Sequence, residues 1–151
     1  MNVFEEFTKI IKHIEEQKIQ YALVGGVSMA FYVEPRFTQD IDLLLRPSDF
    51  LKMKNVLEEN GYLESAEPWT FQKTPLTLHR FFKAVGNDQM IVDILVAGSQ
   101  RHLEILKNTI IAESEHGIIR VADKFDIIWL KQQRNSLQDQ ADIERLLHEK
   151  T

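Results

Sequence analysis

At 151 residues and 44% hydrophobic content, the chain can bury one real core but not two comfortable ones, so one domain over residues 1–151 is expected, closed by helices in residues 122–151. The lack of cysteine excludes disulfides, zinc ribbons and thiol nucleophiles, leaves metal chemistry to carboxylates or histidines, and suits a reducing, cytoplasmic setting. A net charge of −5 argues against a polyanionic partner unless basic residues gather on one face, and is easier to reconcile with a small anionic substrate screened by a metal.

Residues 3–17 place Phe4, Phe7, Ile10, Ile11 and Ile14 at helical spacing with charged residues opposite, which predicts an amphipathic opening helix and no signal peptide. The run Tyr21-Ala22-Leu23-Val24 reads as a strand ended by Gly25-Gly26, followed by a helix over residues 27–33 that Pro35 stops. Residues 39–45 alternate polar and apolar before turning wholly apolar, the pattern of a strand with one polar face at its start. Ser48 then reads as the cap of a helix over residues 49–59, closed by Asn60-Gly61.

Strands are expected at residues 69–71, 76–82 and 90–96, the last after a turn at Asn87-Asp88. A short helix over residues 101–107, a strand over 118–121 and two helices over 123–133 and 137–148 complete the chain. Strands mixed with helices at this length indicate an α/β or α+β fold, with a mixed sheet flanked by helices and a short helical segment at the C-terminal end. No apolar run approaches the ~20 residues of a membrane helix, so no membrane partner is expected.

Two acidic positions carry the chemistry. Asp40 and Asp42 are two apart on a strand, so both carboxylates leave one face within reach of a shared cation. Like charges this close repel unless something positive lies between them, and magnesium, or manganese in its place, is the natural hard-oxygen candidate. Asp93 interrupts an apolar strand and supplies a third carboxylate for a two-metal arrangement, or else belongs to a buried structural network. Gly25 and Gly26 allow a backbone to approach phosphate closely at the start of a helix, and Ser28 adds a hydroxyl there or merely caps the turn.

Arg36 and Thr38 are placed to orient a phosphate or to cap their loop, while Lys131 and Arg134, one helical turn apart, reach either phosphates or neighbouring carboxylates. The five histidines are scattered without metal-ligand spacing and are given no chemistry.

The stretch from Leu23 to Ser28, followed by Pro35-Arg36-Phe37-Thr38-Gln39-Asp40-Ile41-Asp42-Leu43-Leu44, resembles the signature of the nucleotidyltransferase superfamily: a glycine turn, then an Asp-x-Asp strand. Its Arg-x-Thr-x-Asp-Ile-Asp form is similar to the branch of AbiEii-type toxins and small antibiotic nucleotidyltransferases. The resemblance implies paired aspartates that bind magnesium, a third on a later strand at Asp93, and Lys131 as a nucleotide contact from the helix after the sheet. Gln138 stands where that family often has a second lysine.

The implied activity is transfer of a nucleoside monophosphate from a nucleoside triphosphate to an acceptor hydroxyl on a small molecule, a protein or an RNA end. The alternatives are a nucleotide- or partner-binding module without turnover, such as one component of a toxin-antitoxin pair, and a structural domain alike only in fold.

Overall fold

The computed structural model describes residues 3–33, 40–65, 67–71, 75–85, 87–114 and 117–148. The opening helix α1, Val3–Glu16, buries Phe7, Ile10, Ile11 and Ile14 to 3% exposure or less. Each such side chain contributes about 1.5–3 kcal/mol through removal of apolar surface from water. The chain then enters β1, Tyr21–Val24, buried along its whole length.

The glycines do not form a separate turn ahead of the helix expected over residues 27–33. They open the helical turn themselves: α2 is Gly25–Ser28, and a 3-10 turn at Met29–Phe31 takes the place of the rest of the helix expected over residues 27–33. The strand β2, Asp40–Leu45, leads through a 3-10 turn at Pro47–Asp49 into α3, Phe50–Glu59. Asp49, not Ser48, precedes that helix, and its buried carboxylate accepts from Arg46 Nε at 2.8 Å and from the Gln20 amide at 3.4 Å.

Two short strands, β3 at Leu63–Glu64 and β4 at Trp69–Thr70, flank the long hairpin of β5, Leu76–Val85, and β6, Asp88–Ala97. After α4, Gln100–Lys107, capped by Ser99, come β7, Ile110–Ser114, and β8, Gly117–Val121. The chain closes with α5, Lys124–Arg134, and α6, Leu137–His148.

Among the described residues the eight strands form one mixed sheet in the order β3-β5-β6-β2-β1-β8-β7, with β4 also on β5. The β2–β6 and β1–β8 pairs are parallel and the others antiparallel. Alternation along the strands splits the core in two. Leu23, Ile41, Leu43, Val92 and Ile94 face α1 and α3, whereas Ala22, Val24 and Leu44 face the layer that includes α4, α5 and α6.

Two devices fix that second layer. Arg101 on α4 donates to Asp126 on α5 at 2.8 Å and lies over the Trp129 ring at 4.7 Å. At the α5–α6 corner, Asn135 adopts φ 54°, a left-handed conformation that reverses the chain, and its amide donates to the Lys131 carbonyl at 2.7 Å. Ser136 and Asp139 then cap α6 reciprocally, each side chain accepting from the other's backbone N–H at 3.0 Å. No helix among the described residues is long and apolar enough to cross a membrane.

Candidate metal and phosphate site

Because Ile41 and Leu43 point into one core layer, Asp40 and Asp42 must point to the other face of β2, beside Leu44. The same parity on β6 turns Asp93 to that face, since Val92 and Ile94 occupy the opposite one. Parallel pairing of β2 and β6 sets Asp42 directly opposite Asp93, and antiparallel pairing of β5 and β6 sets Arg80 opposite Asp93. Val24 pairs with Asp42 on the other side. A single row, Arg80, Asp93, Asp42, Val24, therefore crosses four strands, and Gly25 begins where that row meets the end of β1.

Gly25 has φ +75°, and a Cβ built there would lie 2.6 Å from Asp42 Cγ, so any side chain would collide with the carboxylate. The turn is braced from behind by Ser28, whose buried hydroxyl donates to the Gly25 carbonyl. Ser28 does not line the cleft that Gly25 and Gly26 face.

The acidic cluster is electrostatically crowded. Burial first, then the charges of Asp93 and Asp40, push Asp42 up to about 7 against the opposing pull of Arg134 and Lys131. Asp40 is raised as well, by burial and then Asp93, with Arg80 opposing. Two oxygen-only donors on one face, each destabilised as an anion by its neighbour, fit a hard divalent cation such as magnesium or manganese.

Asp93 is held differently: Arg80 Nε donates to Oδ1 at 2.8 Å and Nη2 to Oδ2 at 2.9 Å, a two-pronged ion pair on a carboxylate only 3% exposed. Among the described residues no three His, Cys, Asp or Glu side chains converge as a ready-made metal cage.

The opposite wall comes from α5. Lys131 is 4% exposed, lines the cleft, and donates from Nζ to Asp142 Oδ2 at 3.0 Å, with Asp139 Oδ1 at 4.0 Å. Gln138 donates to the other Asp142 oxygen at 2.9 Å, so the residue at the family's second lysine position serves the helix junction. Arg134 grips Asp139 with both Nε and Nη2, at 2.8 and 2.6 Å. Against the upward push of burial, Arg134 and Ser136 hold the Asp139 carboxyl down at about 2.

The two walls enclose a cleft of about 310 Å³. It has a charged half, with Gly25, Gly26, Asp40, Asp42, Asp93, Arg80, Lys131 and Arg134, and an apolar half that includes Phe71, Leu76, Leu78 and Leu130.

The structure thus brings together seven of the ten expected residues: Asp40, Asp42, Asp93, Gly25, Gly26, Lys131 and Arg134. It leaves Ser28 outside the cleft, and Arg36 and Thr38 lie outside the described residues. Arg80 joins the site without belonging to any motif in the sequence. Counting outward from the Val85–Asp88 pair at the hairpin turn pairs residue 80 with 93, so the signal was present once the turn was placed.

A family model described as uncharacterised nucleotidyltransferase matches residues 1–150. No curated protein matches the sequence. Among solved structures, the chain is similar to a nucleotidyltransferase candidate from Thermotoga maritima, at 14% identity and a TM-score of 0.68, over 97% of this chain and 93% of that one. It is similar to a lincomycin-bound lincosamide antibiotic adenylyltransferase, at 14% identity and a TM-score of 0.65, over 95% and 96% of the two chains. It also resembles ANT(2'')-Ia in complex with adenylyl-2''-tobramycin, at 13% identity and a TM-score of 0.57, over 93% and 84%. At these identities the structures share the fold.

Proposed function

Because the chain belongs to the uncharacterised nucleotidyltransferase family, we propose that it moves a nucleoside monophosphate group from a nucleoside triphosphate to an acceptor hydroxyl, releasing pyrophosphate, with Mg2+ or Mn2+ held by Asp40, Asp42 and Asp93. One observation carries this reading: the register that sets Asp42 against Asp93 at the foot of a glycine turn whose missing side chain leaves room beside the carboxylate.

The bound ion would screen the triphosphate and stabilise charge on the leaving pyrophosphate. Gly25 and Gly26 let the phosphates approach the backbone, and Lys131 offers a cation from the facing helix. The acceptor oxygen forms a bond to the α-phosphorus as the bond from that phosphorus to its bridging oxygen breaks. The acceptor's proton passes to the Asp93 carboxylate, and pyrophosphate departs.

A small hydroxylated molecule is the acceptor class that the cleft supports best. Its apolar half gives a carbon skeleton a surface to lie on. The neighbours solved with lincomycin and with adenylyl-2''-tobramycin point the same way. The test is pyrophosphate release from each nucleoside triphosphate with magnesium and a panel of small hydroxylated acceptors. Acceptor-dependent release supports the reading.

A module that binds nucleotide without turnover is the second reading, favoured by the ion pair with which Arg80 occupies both Asp93 oxygens. Metal-dependent triphosphate binding with no pyrophosphate from any acceptor selects it.

A further inference from the structure

The charged row that crosses the sheet has an apolar row beside it, one pleat along. Leu78 on β5 pairs with Leu95 on β6, Leu95 with Leu44 on β2, and Leu44 with Ala22 on β1. Leu44 and Ala22 are fully buried, so this row meets the cleft only at Leu78 and Leu95, on the strands that carry Arg80 and Asp93. Phe71 is tied to the same end, its amide donating to the Leu76 carbonyl at 3.1 Å, and Leu130 lines the cleft from α5. Phe71, Leu95 and Leu130 pack against the second core layer yet are only partly buried. Apolar surface left open inside a cleft offers a place for the carbon skeleton of a ligand.

Three features say which ligand. In an in-line transfer the incoming hydroxyl oxygen and the departing pyrophosphate stand on opposite sides of the phosphorus. Gly25 and Gly26, where the backbone admits phosphates, follow the β1 end of the charged row, whereas the apolar surface opens at the β5–β6 end, beside Asp93. A nucleobase is poorly served there, because its edge carries donors and acceptors and these side chains offer no partner to them. Charge narrows the choice further. Among the described residues, the carboxylates lining the cleft are Asp40, Asp42 and Asp93, the three assigned to the ions, and the next residue on the same face of β5 after Leu78 is the cation Arg80. An acceptor ammonium would bring a positive charge against apolar walls with no acidic partner of its own.

We propose that this surface is the acceptor subsite, with Phe71, Leu95 and Leu130 setting its specificity, and that it takes an uncharged hydroxylated molecule with a hydrocarbon face, not a polyamine. The proposal rests on the reading of nucleotidyl transfer at the three aspartates. The acceptor hydroxyl meets the α-phosphorus from the β5–β6 side and gives its proton to Asp93. The bond from that phosphorus to its bridging oxygen breaks as the new one forms, and pyrophosphate leaves toward Gly25.

Titrations of the full chain, by calorimetry and NMR, test this without turnover, in the presence of Mg2+ and the unreactive α,β-methylene analogue of each nucleoside triphosphate. The probes are D-glucose, a series of alkyl and phenyl β-D-glucosides, and the same glucosides with an aminomethyl group on the alkyl or phenyl part. At least one uncharged glucoside is expected to bind at least about tenfold tighter than both glucose and its own ammonium derivative. Leu130→Asn and Phe71→Ala are each expected to remove most of that preference while changing the affinity for the triphosphate analogue by less than about twofold.

A triphosphate analogue that binds while the glucosides show no preference over glucose, or none over their ammonium derivatives, overturns the subsite and leaves the transfer reading standing. Tenfold weaker binding of the analogue to both variants, with glucoside affinity unchanged, gives the surface to the nucleobase and also overturns it. No Mg2+-dependent binding of any analogue to wild type overturns the transfer reading, and the subsite with it. Leu130 and Phe71 lie on different elements, so if one variant fails to fold the other decides the outcome.

Discussion

Asp42 and Asp93 stand opposite each other on adjacent parallel strands, two buried-face carboxylates in direct register at the mouth of a cleft. No packing argument favours such a pair, because burial and then the Asp93 charge raise the cost of ionising Asp42. The arrangement reads as a site prepared for positive charge, and Arg80 on one flank and Lys131 with Arg134 on the other bound it.

The first prediction concerns Asp42 itself. Its folded-state pKa, about 7, lies above the ordinary 3.8, so the unfolded chain gives up this proton more readily. The associated stability is full below pH 3.8 and is lost as pH rises through 7. Asp42→Asn is therefore expected to raise stability above pH 7 without metal, on the order of 2 kcal/mol, by removing first the cost of a buried charge and then its repulsion with Asp93 and Asp40. Urea unfolding at pH 5 and pH 8 checks this; a variant no more stable than wild type at pH 8 contradicts it.

At the glycine turn, Gly25→Ala meets both a left-handed backbone and the Asp42 carboxylate. A destabilisation of about 1–3 kcal/mol is expected, together with loss of any magnesium-dependent stabilisation by triphosphate. Thermal unfolding with and without ligand reads both effects.

The α5–α6 corner should be acid-sensitive. Asp139 is depressed to about 2, so its contribution is present above the ordinary 3.8 and disappears as pH falls through 2. Asp139→Asn is expected to lose roughly 1 kcal/mol at neutral pH, a figure discounted for the 54% exposure of its partner Arg134. The difference from wild type should shrink toward pH 2, which a pH series of denaturant midpoints would display.

Lys131 has two roles to separate. Lys131→Met leaves Asp142 buried without its ammonium partner, at an expected cost of about 3–5 kcal/mol. The double variant Lys131→Met/Asp142→Leu removes both charges and is expected to recover most of that stability. If Lys131 also meets the triphosphate, the double variant folds yet loses at least about tenfold in triphosphate affinity by calorimetry. Unchanged affinity assigns Lys131 to the helix junction alone.

Much of this was legible in the sequence, for reasons that differ by element. The strands β1, β2 and β6 announce themselves because each is rich in apolar residues, against which the aspartates of β2 and β6 stand out. The strand β7 does not: it sits at the sheet edge, with Ile110 and Ile111 exposed, so its apolar residues show no buried face. The glycine turn was legible as a break, but not as a helical turn, because two glycines carry no helix propensity.

Within the site, Asp40 and Asp42 share a face by parity alone, whereas the meeting of Asp93 with Asp42 depends on the β2–β6 pairing and the Arg80 partnership on hairpin register. The buried Lys131–Asp142 contact joins two helices across a corner set by Asn135, which residue spacing by itself does not specify.

The most direct measurement is thermal stability with magnesium and each of the four nucleoside triphosphates, on wild type and on Asp40→Ala/Asp42→Ala. A magnesium-dependent rise in Tm with at least one triphosphate, absent from the double variant, is expected of a metal and nucleotide site at these aspartates. No rise in wild type with any triphosphate, or an equal rise in the double variant, would contradict it.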